Sequence, residues 1–493
     1  MSLRAKGTPS IAIIGGGLAG IAAAVRLRRA GIESFTVLDE NAGPGGTWWV
    51  NSYPGCEVDV ESSMYAFSFQ RFPWTRTHPS RGELLAYIGR IIERFDLARH
   101  FRFGVRVAAT RWSEADQRHI LVTSTGDTLH ADVVVTAVGF LSNPKIPVWP
   151  GIESFAGPLF HTSRWDHSVD LAGRRVAVIG VGSSGVQVVP AIAPVVRELL
   201  VFQREPGTVM PKRARDLTEQ ERLRNANPLR GRYLRWRAFI RYELSHVGAE
   251  VYRVGSKRAI AAEQRALAYV DSVLSGHDDL KKSVVPTYAF GGKRRVASDD
   301  FYATLLRDNV RLVPRAVVAL DERGITDADG VHHDVDVIIA ATGFHTADYL
   351  STLTVTGRGG RELHEVWRDG AFALLGLTVP GFPNFYMMYG PGTNGGGPIT
   401  TMLEKQAAFI VRNIRTMRRR RLSALDVRPA LVARYNRWLR GQLAGTAWEQ
   451  AGNYMKGPSG RIVTQWPGAG TTYWLLTRLL RWPSLLATKR RQP

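Results

Sequence analysis

Two glycine-rich turns constrain the fold of this chain more than any other feature. The first lies in IAIIGGGLAG, where Gly15, Gly17 and Gly20 have the spacing G-x-G-x-x-G. The second lies in VAVIGVGSSG and repeats that spacing with Gly180, Gly182, Ser183, Ser184 and Gly185. Each turn follows a short apolar run and opens an apolar segment with helical character. This strand–turn–helix pattern predicts two dinucleotide-binding units.

Each glycine of the pattern has its own physical role. The first allows the tight turn, the second lets the backbone approach a pyrophosphate, and the third lets the helix pack closely on the strand. The helix N-terminus then offers free N–H groups and a positive dipole end to the phosphates. One such turn is a weak signal, but two in the same context strongly favour two bound dinucleotides.

The strand that follows each helix ends in a residue of different charge. Asp39 lies 24 positions after Gly15, and Arg204 lies 24 positions after Gly180. A carboxylate there can accept both hydroxyls of an adenosine ribose, whereas an arginine suits a 2′-phosphate. We therefore expect FAD in the first unit and NADPH in the second, with electron transfer between them.

The order of these patterns predicts an α/β fold with two Rossmann-like dinucleotide-binding domains. Residues 1–145 are expected to be the first part of the FAD-binding domain and end in ADVVVTAVGF. A linker over 146–174 leads to the NADPH-binding domain, 175–344, which ends in VDVIIAATGF. Residues 345–493 are expected to return to the FAD domain and add a C-terminal segment.

A helical insertion is predicted inside the second domain, over about 212–285, because this stretch is rich in Arg, Glu, Ala and Leu. Its aromatic residues Tyr233, Trp236, Phe239 and Tyr242 recur every three positions. Helix packing is the expected reason for this spacing, and the lining of a substrate pocket is the alternative.

Composition excludes several classes of protein. Cys56 is the only cysteine among 493 residues, so internal disulfides, a cysteine zinc site and a two-cysteine redox centre are excluded, and no metal site is expected. There is no apolar run of 18 residues, and MSLRAKGTPS lacks an apolar signal core. We therefore expect a cytoplasmic protein.

The net charge of +22 raises the possibility of nucleic-acid or membrane binding. The basic residues are interpreted as widely spread, with local clusters at Arg418–Arg421 and at Lys489, Arg490 and Arg491. A solvated helix end is expected for the first cluster. The tail YWLLTRLLRWPSLLATKRR is expected to dock on the protein itself rather than on a membrane, and no nucleic-acid partner is expected.

The linker carries a more specific pattern. FAGPLFHTSRWD matches F-x-G-x-x-x-H-x-x-x-W-P/D at five spaced positions, which are Phe155, Gly157, His161, Trp165 and Asp166. On this fingerprint the chain resembles the type I Baeyer–Villiger monooxygenases, within the wider flavin-containing monooxygenase group. Three further stretches resemble the same family, so that the likeness covers essentially the whole chain: GGTWWVNSYPGCEVDVESSMY, GKRRVASDDFYATLLRDNVRLV and GRIVTQWPGAGTTYW.

The resemblance implies a reaction and roles for particular residues. NADPH reduces FAD, the reduced flavin adds O2 to give a flavin peroxide, and the peroxide attacks a ketone to yield an ester or lactone. Arg294 matches the family's catalytic arginine, and Asp59 matches the acidic residue that pairs with it and touches the flavin. The resemblance also implies roles for Gly46, Thr47, Trp48 and Tyr65 in contacting FAD, for Lys293 in holding the 2′-phosphate with Arg204, and for His161 and Trp165 in orienting the linker.

The chain departs from the family pattern at three places. Glu205 follows Arg204, where its carboxylate would oppose a 2′-phosphate. Arg295 follows Arg294, which leaves open which arginine is catalytic. Asn453 and Tyr454 stand where tryptophan is frequent, so the substrate pocket is not predicted.

Other functions remain as alternatives at this point. An N- or S-oxygenating flavin-containing monooxygenase would use the same two cofactors, and a basic nucleic-acid-binding protein is the alternative from a different class. A flavin disulfide reductase is excluded by the single Cys56. The identity of the ketone, the regiochemistry and the oligomeric state are not predicted by the sequence.

Overall fold

The buried β-branched runs before the two glycine turns form the central strands of two parallel sheets. The computed structural model of the chain describes residues 9–245, 247–395 and 397–489. The elements before the linker are β1 (Ile11–Ile14), α1 (Leu18–Arg28), β2 (Phe35–Leu38), α2 (Thr47–Val50), α3 (Ser62–Tyr65), α4 (Arg81–Arg94), β3 (Phe101–Arg102), β4 (Val107–Ser113), β5 (Arg118–Thr123), β6 (Thr128–Ala131) and β7 (Val133–Thr136).

The middle of the chain, from the linker to the sequence VDVIIAATGF, contains a second set of strands and helices. They are β8 (Leu159–His161), β9 (Arg175–Ile179), α5 (Ser183–Ile192), β10 (Glu198–Phe202), β11 (Val209–Met210), α6 (Glu219–Ala226), α7 (Pro228–Ser245), α8 (Lys257–Val273), α9 (Asp278–Val284), β12 (Val296–Ala297), α10 (Phe301–Thr304), β13 (Val310–Val313), β14 (Val317–Leu320), β15 (Gly324–Asp327), β16 (His332–Asp334) and β17 (Val337–Ala340).

The last part of the chain is mostly helical. Its elements are β18 (Thr354–Thr356), α11 (Leu363–Val366), β19 (Phe385–Met387), α12 (Ile399–Arg420), β20 (Leu422–Val427), α13 (Pro429–Leu443), α14 (Ala447–Gln450), α15 (Gly470–Leu479), α16 (Arg481–Ser484) and β21 (Leu485–Lys489). Short 3₁₀ helices cover Ala98–His100, Ile152–Ser154, Thr162–Arg164, Val247–Tyr252 and Arg358–Gly360.

The first parallel sheet has the strand order β19-β7-β1-β2-β3. Ile11 of β1 lies opposite Phe35 of β2 on one side and Val133 of β7 on the other. The first glycine turn therefore follows a central strand that has a parallel neighbour on each side. The outer strand β19 comes from the last part of the chain and pairs with β7. The chain therefore leaves this sheet and later returns to it.

The second parallel sheet repeats the plan, with the order β13-β10-β9-β17-β8. Its central strand β9 pairs with β10 and β17, as β1 pairs with β2 and β7. In both sheets the chain leaves the central strand toward one neighbour, β2 or β10, and a later strand, β7 or β17, is added on its other side. The helix after the central strand begins at this reversal of strand order, which is the place where open α/β sheets bind ligands. The predicted α/β fold with two dinucleotide-binding units is confirmed.

Helices occupy the stretch predicted as an insertion, where α6, α7, α8 and α9 follow one another. Thr218 begins α6 with a capping box, in which its side chain accepts from the Glu221 N–H and the Glu221 carboxylate accepts from the Thr218 N–H. Ser256 caps α8 by accepting from the Ala259 N–H. These caps explain where the helices begin.

The long helix α12 packs against α1 of the first unit. The buried face of α1 is formed by small side chains and β-branched residues such as Ala24 and Val25, which allow close approach of a second helix. Phe409 and Ile414 of α12 are fully buried. The last part of the chain is thereby fixed to the FAD-type unit.

Helix α15 is docked on the protein along one face only. Tyr473 and Thr477 are buried, whereas Trp474, Leu475 and Leu479 on its other side are exposed. Arg490 and Arg491 of the predicted basic tail lie outside the described residues. No helix in the described ranges combines the length and the apolar character needed to cross a bilayer.

Candidate active site

The first glycine turn has the geometry that a bound pyrophosphate requires. Gly15 has φ +109°, and a Cβ at this residue would lie 2.5 Å from the Ala137 carbonyl oxygen. A Cβ at Gly20 would lie 1.9 Å from the Gly15 carbonyl oxygen. Neither position can hold a side chain without a shift of the backbone, because the segment after β7 and the first turn of α1 both pack closely on the glycine turn.

A second glycine segment packs directly on this turn. The Gly45 N–H donates to the Gly16 carbonyl oxygen at 3.1 Å, and a Cβ at Gly46 would lie 2.9 Å from the Gly17 Cα. Gly46 precedes α2, which begins at exposed Thr47. Buried Trp48 follows, and its Nε1–H donates to the Tyr65 hydroxyl at 3.1 Å. The positions predicted to contact FAD are therefore brought together around one turn.

Asp39 lies at the same turn. Its carboxylate accepts from the Gly16 N–H at 2.5 Å and from the backbone and side-chain N–H groups of Asn41, each at 2.8 Å. The side chain is 5% exposed. These three donors hold the carboxylate beside the glycine turn, where the sequence places the ribose of FAD.

The second glycine turn reproduces the first. Gly180 has φ +110°, and a Cβ there would lie 2.5 Å from the Ala341 carbonyl oxygen, while a Cβ at Gly185 would lie 2.0 Å from the Gly180 carbonyl oxygen. Around Gly182 no atom lies within 4 Å of a Cβ position, so the backbone is open there to an approaching phosphate. Ser183 and Ser184 begin α5 at this point. The residues present fit a second dinucleotide.

The residues after β10 form a charged cluster with Lys293, in which the contact between Glu205 and Lys293 was not predicted. Arg204 is exposed, and Glu205 forms an ion pair with the Lys293 ammonium group. The hydrogen bond from Lys293 lowers the pKa of Glu205. Lys293 also lies 5.0 Å from the ring centre of Tyr288. Glu205 therefore binds one of the two cations predicted to hold a 2′-phosphate.

Arg294 and Asp59 meet between the two units. The Arg294 Nη2 lies 2.5 Å from the Asp59 Oδ2. Burial acts to raise the pKa of Asp59, but the charge and hydrogen bond of Arg294 outweigh burial and the pKa is lowered. The Asp59 carboxylate in turn raises the pKa of Arg294. Both groups therefore stay charged at neutral pH.

Tyrosine side chains surround this pair. Tyr454 and Tyr389 lie close enough for the Arg294 charge to act on their hydroxyls, although burial is the larger effect and raises the pKa of both. The Tyr389 hydroxyl donates to the Asn394 Oδ1 at 2.9 Å. Neither tyrosine was singled out as a candidate from the sequence, although Tyr454 was noted as a departure. Tyr389 stands in an apolar strand-like run and carries no motif.

Arg295 points to a different environment. Its Nη2 donates to the Tyr252 hydroxyl at 3.0 Å, and its guanidinium lies 5.3 Å from the Tyr252 ring centre and 5.5 Å from that of Phe290. The Tyr252 ring packs on Trp448, with ring centres 4.1 Å apart. Asp59 thus contacts Arg294 and not Arg295. The structure therefore distinguishes two neighbouring arginines that the sequence could not distinguish.

A buried ion pair beneath Asp59 was missed by the sequence reasoning. Lys212 has a side chain that is 2% exposed, and its Nζ lies 2.6 Å from the Glu57 Oε1. Glu57 also lies 3.3 Å from the Arg76 Nη1. Because Lys212 belongs to the run PKRAR, its sequence context is that of a solvated basic loop, and only the structure shows that it is buried.

The fingerprint histidine joins the linker to the end of the second sheet. The Ser163 N–H donates to the His161 Nδ1 at 3.1 Å, so Nε2 carries the proton and donates to the Gly343 carbonyl oxygen at 3.0 Å. Burial lowers the pKa of His161 to about 4. The same Gly343 oxygen accepts from the Lys145 N–H at 2.9 Å. A neutral His161 therefore fixes the place where the chain passes between the units.

The other fingerprint residues also have local structural contacts. Phe155 packs beside the second sheet, and a Cβ at Gly157 would lie 2.3 Å from the Asp336 carbonyl oxygen. The Trp165 ring lies 5.1 Å from that of Phe160. Exposed Asp166 accepts from the Ser168 N–H at 2.9 Å. The five residues thus shape the linker, and none of them lies against the Arg294–Asp59 pair.

The row of aromatic residues in α7 has two sides. The Tyr242 hydroxyl donates to the Gly395 carbonyl oxygen at 3.0 Å, in the glycine-rich loop after Pro391. The half-buried Phe239 ring lies 5.6 Å from the Lys405 Nζ. Tyr233 and Trp236 are 54% and 59% exposed. The expectation of helix packing is wrong for these two residues, because the opposite face of α7 is the one turned to the protein.

Comparisons with known proteins agree with this geometry. The family model described as pyridine nucleotide-disulphide oxidoreductase matches residues 12–206. A Baeyer–Villiger monooxygenase of Streptomyces coelicolor is 38% identical over 95% of this chain and 90% of its own length. A structure of cyclohexanone monooxygenase from Rhodococcus sp. Phi1 bound to NADP+ has a TM-score of 0.87 at 27% identity, covering 99% of this chain and 100% of that one.

A third protein shows both cofactors. The structure of OTEMO in complex with FAD and NADP has a TM-score of 0.87 at 25% identity, covering 98% of this chain and 100% of that chain. The two dinucleotide-binding units, together with these relatives, place the chain in the class of flavoprotein monooxygenases. Within that class, the chain belongs to the Baeyer–Villiger monooxygenase family, which confirms the prediction from its linker.

Proposed function

We propose that this protein is an FAD-dependent, NADPH-consuming enzyme that inserts one oxygen atom of O2 next to a ketone carbonyl, giving an ester or lactone. The observation that carries the proposal is the Arg294–Asp59 pair between the two dinucleotide units. It provides a permanent cation where both nucleotides would converge. The FAD- and NADP-bound relatives of the same fold support the choice of cofactors.

The first unit would hold FAD through its glycine turn and Asp39. The Gly45–Gly46 segment closes on that turn, and Trp48 and Tyr65 are joined by a hydrogen bond beside it. The second unit would hold NADPH through the open backbone at Gly182 and through Arg204. When bound, the reduced flavin supplies the electrons that activate O2.

The protein's own contribution to the chemistry is electrostatic. Arg294 cannot lose its proton at working pH, so it stabilises negative charge that develops on oxygen next to the carbonyl carbon. Asp59 fixes the orientation of the guanidinium through the 2.5 Å contact. Tyr454 and Tyr389 lie near the same cation, whose charge acts on their hydroxyls.

NADPH is the proposed nicotinamide cofactor rather than NADH. Arg204 and Lys293 supply two cations near the end of β10, and Glu205 supplies one carboxylate that Lys293 already contacts. Two cations outweigh one anion at short range. A 2′-phosphate would compete with Glu205 for Lys293, and this competition predicts a measurable dependence on Glu205.

The remaining parts of the proposal concern location and organisation. A reducing cytoplasm is the proposed location, supported by a single cysteine, Cys56, which is buried and free. The proposed small-molecule partners are a ketone and O2. Domain boundaries near 145, 174 and 344 are also proposed. The sheet to which each strand belongs supports those near 145 and 344, whereas β8 of the linker already pairs in the second sheet.

Product analysis tests the function directly. The purified protein is given NADPH, oxygen-18-labelled O2 and a panel of cyclic ketones that includes cyclohexanone. We expect a lactone that carries one labelled oxygen, with NADPH consumed in proportion. If a sulfide or amine is oxygenated while every ketone is left intact, the protein is a heteroatom-oxygenating enzyme and the proposal is wrong.

A further inference from the structure

The excess positive charge is concentrated in the last part of the chain. Between residues 405 and 489 there are only two acidic residues, Asp426 and Glu449. The same stretch contains sixteen basic residues, which are Lys405, Arg412, Arg415, Arg418, Arg419, Arg420, Arg421, Arg428, Arg434, Arg437, Arg440, Lys456, Arg461, Arg478, Arg481 and Lys489. The basic residues are spread along the chain, but most of the net +22 lies here because acidic residues are few in this stretch.

These cations have no carboxylate partners within the described ranges. None of the sixteen forms an ion pair there, because Asp426 is 3.6 Å from Arg358 and Glu449 accepts from the Gly445 N–H. Burial and the neighbouring charges of Arg478 and Arg481 lower the pKa of Arg412 to about 10. A stretch with so many cations and so few carboxylates favours an anionic partner.

The helix α7 presents an exposed apolar stripe of a kind that a monomeric protein normally buries. The exposed fractions of its members lie between 36% and 75%. The stripe consists of Leu229, Tyr233, Trp236, Ile240 and Leu244. Steps of four, three, four and four residues place all five side chains on one side of the helix. Exposed Arg230, Arg232 and Arg237 flank the stripe, and none of them forms an ion pair with a described residue.

Other residues of α7 fix the helix to the rest of the protein. Arg235 donates to the Ala66 carbonyl oxygen, and Tyr242 donates to that of Gly395. Buried Glu243 accepts from the N–H groups of Gly470 and Thr471 at 2.8 and 2.9 Å. The C-terminal end of α7 is thus bonded to the start of α15, whose exposed Trp474, Leu475 and Leu479 carry a second apolar patch.

We propose that the α7 stripe and the exposed side of α15 dock on the surface of an anionic phospholipid bilayer. The apolar side chains would lie at the level of the headgroups, and the unpaired arginines would attract the lipid phosphates. A second copy of this chain fits less well, because Arg230, Arg232 and Arg237 would meet like charges. Nucleic acid would leave the five apolar side chains without a partner.

Vesicle flotation of the FAD-loaded full chain tests this docking. The probes are vesicles of phosphatidylcholine alone and of equal parts phosphatidylcholine and phosphatidylglycerol. We expect binding to the anionic vesicles only. The double variant Leu229→Ser, Trp236→Ser should bind them roughly tenfold more weakly. The matched control Val148→Ser, Val331→Ser, which changes exposed residues elsewhere, should bind like the parent.

A second set of variants tests the role of charge. Arg415→Gln, Arg418→Gln and Arg419→Gln together should weaken binding on the order of a hundredfold, since each surface cation near an anionic bilayer contributes to attraction. The control removes the same charge from exposed Arg174, Arg197 and Arg368. Circular dichroism and bound flavin establish that each variant is folded.

Three outcomes would overturn the proposal. The first is equal vesicle binding by the Leu229/Trp236 variant and the parent. The second is a dimer in analytical ultracentrifugation that dissociates in that variant, without vesicle binding by the parent. The third is tight binding of duplex DNA that depends on the arginines but not on the α7 stripe, again without vesicle binding.

Discussion

At the scale of single residues, the proposed function depends on which of two adjacent arginines meets a carboxylate. Arg294 and Arg295 have the same chemistry and follow one another, yet one contacts Asp59 and the other is held by Tyr252 and Phe290. A sequence motif shows that one of the two arginines occupies the catalytic position, but it does not show which one. The surrounding side chains hold one member against the carboxylate and the other against aromatic rings.

Replacing each arginine tests this assignment. Arg294→Ala should retain FAD and some oxidation of NADPH, but ester formation should fall by about 100-fold or more because the stabilising cation is lost. Hydrogen peroxide should appear instead of ester. Arg295→Ala is the matched control and should keep most of its oxygenation. Product quantification with a peroxide assay measures both variants, and a reversed result would exchange the two roles.

The Glu205–Lys293 ion pair leads to a prediction about nicotinamide choice. Glu205→Thr should release Lys293 for a 2′-phosphate, so the preference for NADPH over NADH should increase about tenfold, the effect expected of one screened charge pair. The ratio of kcat/KM for the two nucleotides gives the preference. Glu198→Gln, at the other end of β10, serves as control. An unchanged ratio would mean that Glu205 does not compete with the phosphate.

Gly182 offers a way to separate cofactor binding from folding. Its φ of −76° is one that any residue adopts, and no atom lies within 4 Å of a Cβ position. Gly182→Ala should therefore fold normally. The added methyl group should nevertheless obstruct a pyrophosphate and raise the Kd for NADPH roughly tenfold or more. Titration of NADPH against the oxidised, FAD-loaded protein measures this. Full flavin content with normal NADPH binding would contradict the placement of the second nucleotide.

At the scale of secondary-structure elements, short segments of the two units meet beneath the active site. The Thr77 N–H donates to the Arg215 carbonyl oxygen at 2.9 Å, and the Leu217 N–H donates to that of Thr75 at 2.7 Å. The buried Lys212–Glu57 pair lies next to these backbone bonds. The segments therefore align Asp59 in one unit with Arg294 in the other.

Removing one charge of the buried pair should destabilise this contact. Lys212→Met leaves Glu57 with the more distant Arg76, and the free energy of unfolding should fall by about 3 kcal/mol. The double variant Lys212→Met, Glu57→Leu should lose less than the sum of the two single variants, because no unpaired charge remains. Urea unfolding of all three gives the coupling. Additive losses would show that the two groups do not interact.

The elements also show how far sequence reasoning reaches. The glycine turns, Asp39 and the fingerprint could be predicted, since each follows from a local pattern that the backbone must satisfy. The outward face of α7 could not, because helical spacing shows a stripe but not which side the rest of the protein covers. The contacts of Lys293 with Glu205 and of Lys212 with Glu57 join segments more than 80 residues apart, which no local pattern specifies.

At the scale of the whole molecule, buried histidines couple stability to pH. Burial lowers the pKa of His161 and of His119 to about 4, below the ordinary value of 6.5. Between these values the unfolded chain binds protons that the folded protein does not, so stability is lost as pH falls. From pH 7 to 5 the loss should be about 2 kcal/mol for each histidine.

Urea unfolding at several pH values checks this coupling. The parent protein should lose stability between pH 7 and 5, and His161→Gln should show a shallower dependence because one of the protonating groups is absent. Gln also allows one hydrogen bond to the Gly343 carbonyl oxygen to persist. An identical pH dependence in parent and variant would mean that His161 is protonated in the folded state.

The paired chain segments at Lys145 and Gly343 have a consequence for protein engineering. All strands of the second sheet lie between these two residues, and the Lys145 N–H is 2.9 Å from the Gly343 carbonyl oxygen. The second unit is thus an insertion whose two ends already touch. Excision of that unit with a short connecting loop would leave the first sheet with all five of its strands, including β19. The architecture therefore suits the exchange of the whole second unit between relatives. Both junctions of such an exchange would lie at the hydrogen bond between Lys145 and Gly343.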